Sequence, residues 1–509
     1  MSFDAVVAGS GPNGLVAAVT LAAAGRRVLL LEAAEGFGGA LRSAELTLPG
    51  RVHDVGAAVL AMALISPAYR DLGLTFADHP APQAGDQSRQ AGDRVQQTGD
   101  RDRAQQAGDR VQQTGERDRP ADVVFAHPPV AAAHPLDDRP AVLVHRDAGR
   151  TAEGLGRDAA AWRASVGAAA RAGGPLAETL LAPLGWPKAP LAAARFGVFG
   201  ALPATVLGRT VFRTAEGRAL LAGMAAHSVQ DLRAPITSGY GMLLAASAHL
   251  VGWPLVRGGS QVLADALVAR LRALGGEAVT GQRVRDVKEL DAPIRILDVT
   301  PRQFLSMAEL PPGYRDRLRR YRYGPGVFKL DWALDGPVPW RDPQVARAGT
   351  VHLGGTMEEI VLSEAEMAAG RHSPRPYVLL VQPYAADPTR GGHTLWAYCH
   401  VPNGSTVDMT AAVEAQIERF APGFGDRVLA RHTMTTADLE RFNPNLVGGD
   451  IGGGAGSLGQ FLRRPVWSPA PWRTPLPGVY LCSAATPPGG GTHGMGGYQA
   501  ARLALREHP

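Results

Sequence analysis

The sequence predicts an α/β fold in which a domain built on a parallel sheet is discontinuous and is interrupted by a second, α+β domain. Three separated stretches, at residues 4–42, 251–300 and 479–509, carry this prediction. Each combines short apolar runs with a glycine-rich turn and an alanine- or leucine-rich helical pattern. Strands that alternate with helices in this way favour βαβ units and therefore a parallel sheet.

The opening stretch has the order strand, turn, helix, strand. An apolar run at residues 4–8 enters a turn with glycines at positions 9, 11 and 14. A predicted helix at 15–24 follows, and a second apolar run at 28–31 ends at Glu32. This order and spacing predict a Rossmann-like dinucleotide-binding unit. The turn alone leaves FAD and NAD(P) as alternatives.

Each part of this unit has a role in holding a dinucleotide. Gly9 allows the tight turn, Gly11 lets a diphosphate lie against bare backbone, and Gly14 lets the helix sit close to the strand. The helix N-terminus carries about half a positive charge, which stabilises the diphosphate. Glu32, 18 residues after Gly14, is placed to accept hydrogen bonds from ribose hydroxyls. The other residues expected to contact the cofactor here are Ser10, Pro12, Asn13 and Ala33.

Composition excludes several classes of protein. The net charge of +5 is small for 509 residues and is spread along the chain, so no nucleic-acid partner is expected. Cys399 and Cys482 are far apart, which argues against a redox dithiol or a metal site and fits a reducing cytoplasm. No apolar run is long enough for a spanning helix. The apolar segment 191–207, interrupted by Arg195 and Pro203, is expected to be a buried core helix, with peripheral contact with a membrane surface as the alternative.

Residues 81–121 differ in character from the rest. QAGDRVQQTGDRDR at 90–103 returns as QAGDRVQQTGERDR at 106–119. This repeat cannot bury enough apolar surface to offset the ordering of its backbone, about 1–2 kcal/mol per residue. We expect a disordered or loosely helical surface insertion, with partner binding as an alternative.

The remaining chain divides into two discontinuous domains. The dinucleotide-binding domain is expected to comprise 1–80, 251–300 and 461–509, and the substrate-binding domain 122–250 and 301–460. Within the first, strands are predicted at 278–280 and 284–287. Within the second, residues 122–250 have a helical pattern. Strands predicted to form the floor of a substrate pocket lie at 326–334, 377–384 and 393–402.

Seven stretches together resemble the phytoene-desaturase-like branch of the FAD-dependent amine oxidoreductases, and within it the pyridine nucleotide-disulphide oxidoreductase domain-containing protein 2 subgroup. They keep the family's order and cover most of the chain outside the insertion. The stretches are GSGPNG, EAAEGFGGALRSAELTLPG, LLAGMAAHSV, GWPLVRGGSQVLADAL, KLDWALDGPVPW, HTLWAYCHVPNGS and LCSAATPPGGGTHGMGG. The resemblance implies an FAD-binding domain of the glutathione reductase type 2.

The resemblance also assigns positions along the cofactor. Gly38 and Gly39 match a glycine pair that lets the chain pass close to the diphosphate, and they favour FAD. Arg42 then supplies a cationic contact or is a solvated surface arginine. Gly56 is implied near the ring system, and Val284 near the adenine.

The last stretch repeats the strand, glycine turn and helix of the opening stretch, and the resemblance places it near the flavin. A strand at 479–483 leads into a glycine-rich turn and a helix from about Gly497. Amides at that helix N-terminus would stabilise reduced flavin, which bears negative charge. The expected contacts are Ala485, Gly490, Gly491, Thr492, Gly494 and Met495. Pro487 and Pro488 depart from the family pattern here, which leaves the substrate open.

The implied reaction removes a hydride from a C–H bond to flavin N5. Lys329 matches the lysine that holds a water at N5 in monoamine oxidases, or is a strand-end lysine extending to solvent. His493 is the histidine best placed to approach the ring. The substrate pocket is expected to include His227, Trp253, Tyr398 and His400. A core role is the alternative for the histidines and Tyr398, and the favoured alternative for Trp253.

Three functions follow as hypotheses. The first is an FAD-dependent dehydrogenase or desaturase acting on an apolar substrate, with O2 or a quinone as electron acceptor. The second is a flavin amine oxidase that forms an imine and hydrogen peroxide. The third is a non-catalytic FAD-binding interaction protein. An isomerase that uses flavin without net redox is also open.

Overall fold

A computed structural model describes residues 2–74, 76–79, 123–182 and 185–509. The expected insertion at 81–121 lies outside the described residues. Two large sheets organise the described chain: one of five parallel strands and one of seven strands. The parallel sheet and the helices around it confirm the predicted α/β, Rossmann-like fold.

The parallel sheet joins three distant parts of the sequence. Its spatial order is β10-β2-β1-β11-β17, so the first strand lies at its centre. On one side Ala5 pairs with Val28, and on the other with Ile294. These strands are β1 (Ala5–Ala8), β2 (Val28–Leu31), β10 (Glu277–Val279), β11 (Ile294–Leu297) and β17 (Val479–Leu481). The central strand β1 and the strand β17 are completely buried, whereas the edge strand β10 is largely exposed.

The seven-stranded sheet has the order β16-β12-β15-β14-β13-β7-β8 and is largely antiparallel. Its two longest strands pair over nine positions, with Lys329 opposite Tyr398 and Asp331 opposite Trp396. Its members are β7 (Val130–His134), β8 (Val142–Val144), β12 (Gly326–Leu334), β13 (Ala348–Leu353), β14 (Val378–Val381), β15 (His393–Val401) and β16 (Val428–Met434).

Two small sheets connect the large ones. The shorter strands are β3 (Ser43–Ala44), β4 (His53–Asp54), β5 (Phe76–His79), β6 (Val123–Ala126) and β9 (Leu255–Val256). β3 pairs with β4, and β6 lies between β5 and β9. A buried arginine fastens this region, because Arg390 bridges Asp54 and Asp387.

Helices cover both sheets. In the first half of the chain they are α1 (Pro12–Ala23), α2 (Ala61–Leu64), α3 (Pro67–Arg70), α4 (Ala148–Gly154), α5 (Ala159–Ala164), α6 (Val166–Leu181), α7 (Pro190–Gly200), α8 (Ala204–Val211), α9 (Ala215–Ala226) and α10 (Thr237–Leu250). In the second half they are α11 (Gln261–Ala273), α12 (Pro301–Met307), α13 (Pro312–Arg319), α14 (Met357–Ala368), α15 (Thr410–Phe420), α16 (Thr436–Phe442), α17 (Leu458–Leu462) and α18 (Met495–Glu507).

The first and last long helices pack closely. A Cβ atom on Gly497 of α18 would lie 1.8 Å from the carbonyl oxygen of Asn13 in α1. Only a residue without a side chain allows this approach. The N-terminal glycine turn and the C-terminal turn therefore lie side by side.

Two local expectations from the sequence are wrong. No strand forms at 284–287; a short 3-10 helix, Val287–Glu289, is present there, and its Asp286–Glu289 capping box competes with an extended backbone. The segment 191–207 is not one buried helix, since α7 and α8 meet at a bend of 92°. Most of α7 is exposed, with Leu191 86% and Val198 67% exposed. Pro203 is the N-cap of α8 and lies in the bend between the two helices.

Within the described residues, no single helix has the length and apolar composition to cross a bilayer, although α7 and α8 meet those criteria as a bent pair.

Candidate functional site

The opening glycine turn places the start of α1 against the sheet. Gly9 has a φ of +99°, in the region that favours glycine. A Cβ atom on Gly14 would lie 1.9 Å from the carbonyl oxygen of Gly9. Gly11 is the N-cap and has no side chain to cap the helix, and Pro12 at the first helical position has no N–H. The Gly14 amide in this first turn donates to Asp298.

Glu32, at the end of β2, is fixed beside this turn. One carboxylate oxygen accepts hydrogen bonds from the Ser10 amide at 2.8 Å and the Ser10 hydroxyl at 2.6 Å. The other accepts from the Ala34 amide at 2.8 Å. The carboxylate therefore keeps one orientation while its remaining lone pairs face a cavity.

The Gly38–Gly39 turn touches the opening turn. Gly38 donates to the Ser10 carbonyl at 3.1 Å, and a Cβ atom on Gly39 would lie 2.8 Å from the Cα of Gly11. Arg42 follows, and its guanidinium stacks on the Phe442 ring at 3.8 Å and donates to the Phe442 carbonyl at 2.7 Å. Burial lowers the pKa of Arg42, and Glu32 opposes that shift.

Two cavities meet at the start of α1. The first, which we call the nucleotide cavity, extends past β2 towards the segment 282–285. Among the residues expected to contact the cofactor, it is lined by Gly9, Ser10, Gly11, Glu32, Ala33, Gly39, Arg42 and Val284. The second, which we call the chamber, extends over the seven-stranded sheet. The two share a neck formed by Gly11, Asp298, Phe442, Asn443 and Asn445.

The chamber is mainly apolar. From the cofactor set it contains Pro12, Asn13, Gly56, Gly491 and Thr492 beside Gly11, and from the expected substrate pocket it contains His227, Trp253 and Tyr398. The sheet contributes one face of its central strands to the wall. The lining residues from that face are Val327, Lys329, Thr350, Leu379, Val381, Trp396 and Tyr398.

Lys329 is the cation in the chamber wall. Its Nζ donates to Asp331 Oδ2 at 2.5 Å, and both side chains are almost completely buried. The ammonium also lies 5.6 Å from the centre of the Trp396 ring, within range of a cation–π interaction. Burial disfavours the charge of Asp331, but Lys329, His432 and His53 outweigh it and lower the pKa of Asp331.

A pair of imidazoles continues from the chamber into the core. His227, which caps α9, contacts His352 of β13 with its Nε2 at 3.0 Å from the partner Nε2. One ring must donate and the other accept, so the accepting ring is neutral in this contact. Burial lowers the pKa of His227 to about 3 and that of His352 well below its usual value.

Several expected site residues lie outside the cavity linings. His400 is buried behind the wall, with Nδ1 2.8 Å from Glu364 Oε2. His493 is buried, and its Nδ1 accepts from the Met495 amide at 3.1 Å, so the ring stabilises the start of α18. Burial lowers its pKa to about 4. The others support the turns without lining either cavity: Gly14, Gly38, Ala485, Gly490, Gly494 and Met495.

Other lining residues were not among those predicted from the sequence. Asp298, Phe442 and Asn443 form much of the neck, and Asn445 donates to the backbone oxygen of Asp298 at 2.8 Å. The run FNPN at 442–445 carries the turn-forming residues asparagine and proline, which could have indicated an ordered loop. Nothing in that run indicated which cavity the loop would line.

Sequence comparison agrees with this architecture. Residues 7–72 match the family of NAD(P)-binding Rossmann-like domains. Pyridine nucleotide-disulfide oxidoreductase domain-containing protein 2 of Rattus norvegicus is 29% identical over 324 residues, which are 53% of this chain and 55% of that protein. The chain thus matches about half the length of this curated relative. The resemblance seen in the motifs is confirmed, and residues 7–72 are of the NAD(P)-binding Rossmann-like type.

Solved structures share the fold over nearly the whole chain. An oxidoreductase from Methanosarcina mazei has a TM-score of 0.58 at 13% identity, covering 99% of both chains. A putrescine oxidase double mutant, redesigned in its cofactor binding, has a TM-score of 0.57 at 15% identity, covering 99% of this chain and 98% of that one. A fatty acid isomerase from P. acnes that produces CLA has a TM-score of 0.51 at 14% identity, covering 99% and 98%. At these identities the likeness concerns the fold alone.

Proposed function

We propose that this protein is an oxidoreductase that binds FAD and dehydrogenates an apolar substrate at a C–H bond. The observation that carries the proposal is that the two cavities lie end to end and share five lining residues at the start of α1. A single extended molecule with a nucleotide at one end, a diphosphate in the middle and a ring system at the other end matches that shape.

The residues along the two cavities fit FAD. Glu32 would hold the ribose hydroxyls and Val284 the adenine end, while the bare backbone at Gly11 and Gly39 would admit the diphosphate. At the other end the ring system would lie near Gly56 and Thr492. Buried polar atoms without a protein partner lie along this path, namely Asn13 Oδ1, Arg42 Nε and Asn445 Oδ1. Such atoms are ordinarily satisfied by water or a ligand.

Bound FAD would supply a two-electron acceptor for a hydride. The chain's own contribution is a dry, shaped chamber that orients the substrate C–H bond and excludes water. When a C=C bond forms, a proton also leaves the neighbouring carbon. His227 is a neutral imidazole in the chamber wall, hydrogen-bonded to His352, and would relay that proton towards solvent, because its pKa of about 3 disfavours keeping it.

The charges of the chamber favour an apolar substrate over a cationic amine. An ammonium substrate needs a carboxylate or an aromatic cage near the reacting atom. Among the described lining residues, the one carboxylate is Asp298, which lies at the neck. Asp331 already forms a buried ion pair with Lys329, so its charge is not available to a substrate ammonium group. Trp396 and Tyr398 stack on one another with ring centres 5.7 Å apart, which leaves no space for a third ring between them.

Amine oxidation is the second candidate. It is favoured by the fold shared with putrescine oxidase and by Lys329, which lines the chamber beside Trp396. Either function would return electrons to O2 or to a quinone. Release of hydrogen peroxide together with an imine product would support the amine oxidase.

The experiment is anaerobic mixing of the purified, flavin-loaded protein with two sets of compounds. One set contains apolar polyenes and long-chain acyl compounds, and the other contains putrescine and cyclohexylamine. We expect bleaching of the flavin band with members of the first set and a product two hydrogens lighter. Bleaching by the amines alone would overturn the proposal that the substrate is apolar. A protein that neither purifies with nor takes up FAD would overturn the proposed function.

A further inference from the structure

A buried carboxyl group occupies the neck where the diphosphate would lie. Asp298 directly follows β11, and its side chain is 5% exposed. Its Oδ2 accepts a hydrogen bond from the Gly14 amide at 3.2 Å. A Cβ atom on Gly11 would lie only 2.6 Å from this oxygen. The carboxyl group therefore lies against the amides at the start of α1, which is also the part of a Rossmann unit that receives a diphosphate.

The backbone around Asp298 keeps the group in this position. Its amide donates to the Ala8 carbonyl at 2.8 Å, which continues the β1–β11 ladder by one residue. Its carbonyl accepts from the Asn445 side chain. Because both backbone groups are bonded, the side chain moves away from the neck only by rotating about its own bonds. The path for rotation is narrow, since Gly9 and Gly14 both lie close to its Cβ.

The ionisable groups that face Asp298 do not neutralise its charge. From the end of β2, Glu32 contributes a second negative charge. From the end of β17, the buried Cys482 thiol has a raised pKa and is uncharged. The backbone amides of Gly11 and Gly14, at the start of α1, also face Asp298. The 443–445 loop contributes the uncharged side-chain amide of Asn445. Burial, reinforced by Glu32, raises the pKa of Asp298 to about 6 against the opposing effect of those amides.

We propose that binding of FAD is coupled to uptake of one proton by Asp298. The inference rests on the proposed binding of FAD in this neck. A carboxylate and a diphosphate cannot share one helix N-terminus without strong repulsion, since two unit charges about 4 Å apart repel by several kcal/mol in a partly buried site. The carboxylic acid form removes that repulsion and can donate a hydrogen bond to a phosphate oxygen.

The direction of the pH effect follows from this linkage. In the empty site Asp298 loses its proton near pH 6, and a bound diphosphate would raise its pKa further. Affinity for FAD is then constant below about pH 6 and falls by up to about tenfold for each pH unit above it, until the pKa of the bound form is reached. Below pH 6 the site is already protonated and no proton is taken up.

The test measures FAD binding to the flavin-stripped full-length protein between about pH 5.5 and about pH 8.5. Fluorescence quenching gives the affinity. Calorimetry at pH 8 in two buffers of different ionisation enthalpy gives the number of protons taken up. We compare the wild type with Asp298→Asn, which keeps the size and the acceptor for Gly14. Glu364→Gln is the matched control, because Glu364 is another completely buried carboxyl group with a raised pKa and lies outside both cavity linings.

We expect the wild type and Glu364→Gln to lose affinity with rising pH and to take up close to one proton at pH 8. Asp298→Asn should bind with little pH dependence and at least tenfold more tightly than the wild type at pH 8. A wild type that takes up no proton would overturn the proposal without any use of the variant. An FAD affinity that still falls with rising pH in Asp298→Asn would also overturn the proposal. If none of the three proteins binds FAD at any pH, the proposed function fails instead.

Discussion

Lys329 and Asp331 lie two positions apart on the same face of β12, and the lysine Nζ donates to the carboxylate at 2.5 Å inside a wall that is almost completely buried. Each group is the counter-ion of the other. Removal of one partner of such a pair leaves the other charged group desolvated, which costs several kcal/mol unless it becomes neutral. The pair therefore fixes the charge of the chamber wall.

We expect Lys329→Met to slow turnover by about tenfold or more, which corresponds to about 1.4 kcal/mol. Its loss unpairs Asp331 in the wall and removes the cation beside the reacting region. Stopped-flow measurement of flavin reduction and of reoxidation by O2 separates the two half-reactions. Lys288→Met is the control, because Lys288 is exposed and lies outside both cavity linings. Unchanged kinetics in Lys329→Met would show that the lysine has only a packing role.

Substitution of His227 tests the proton acceptor in the chamber. We expect His227→Phe to retain FAD and to slow substrate oxidation by at least about tenfold, because the ring keeps its volume but loses its nitrogens. His227→Gln, which can still bond to His352, should lose less. The rate of flavin reduction under anaerobic conditions is the measurement. Equal rates for wild type and His227→Phe would remove the imidazole from the reaction.

Gly11→Glu should abolish flavin retention. The added side chain would begin 2.6 Å from Asp298 Oδ2 and would place a second carboxylate in the neck. Gly154→Ala is a suitable control, since a Cβ atom there meets nothing within 4 Å. The absorbance ratio of flavin to protein after purification measures retention, and circular dichroism confirms folding. A folded Gly11→Glu protein that is still yellow would contradict the assigned site.

The stability of the flavin-free protein should also depend on Asp298. Its pKa is raised from 3.8 to about 6 in the folded state. The folded state then binds more protons than the unfolded state between these values, so the free energy of unfolding falls as pH rises from about 4 to about 6. The loss is on the order of 3 kcal/mol. We expect Asp298→Asn to melt at a higher temperature than the wild type at pH 7 and at a similar temperature near pH 4. A lower melting temperature at pH 7 would contradict the direction of the shift.

The sequence predicted the elements whose pattern is local. The run GVFKLDWAL forms β12 over the expected nine residues, and the glycine turn and Glu32 lie as the spacing indicated. Glycine positions and apolar runs constrain the backbone by themselves, so a single stretch suffices to identify them.

The parts that were not predicted depend on contacts between distant residues. Asp298 reaches the neck because β11 pairs beside β1, and His352 meets His227 because β13 packs below α9. Neither the position of Asp298 at the neck nor the contact between His227 and His352 can be predicted from residue spacing in the sequence. The exposure of α7 was not predicted for the same reason. An apolar composition alone does not show whether other elements of the fold pack against a helix.

The contact between Gly497 and Asn13 has a consequence for biosynthesis. Helix α18 is synthesised long after α1, and it must then pack against α1 beside the neck. A nascent chain that stops before β17 has its glycine turn but lacks the edge strand and the helix beside it. If the protein binds FAD as proposed, the complete site would form only after α18 has been synthesised, and added flavin would not rescue chains that stop before β17.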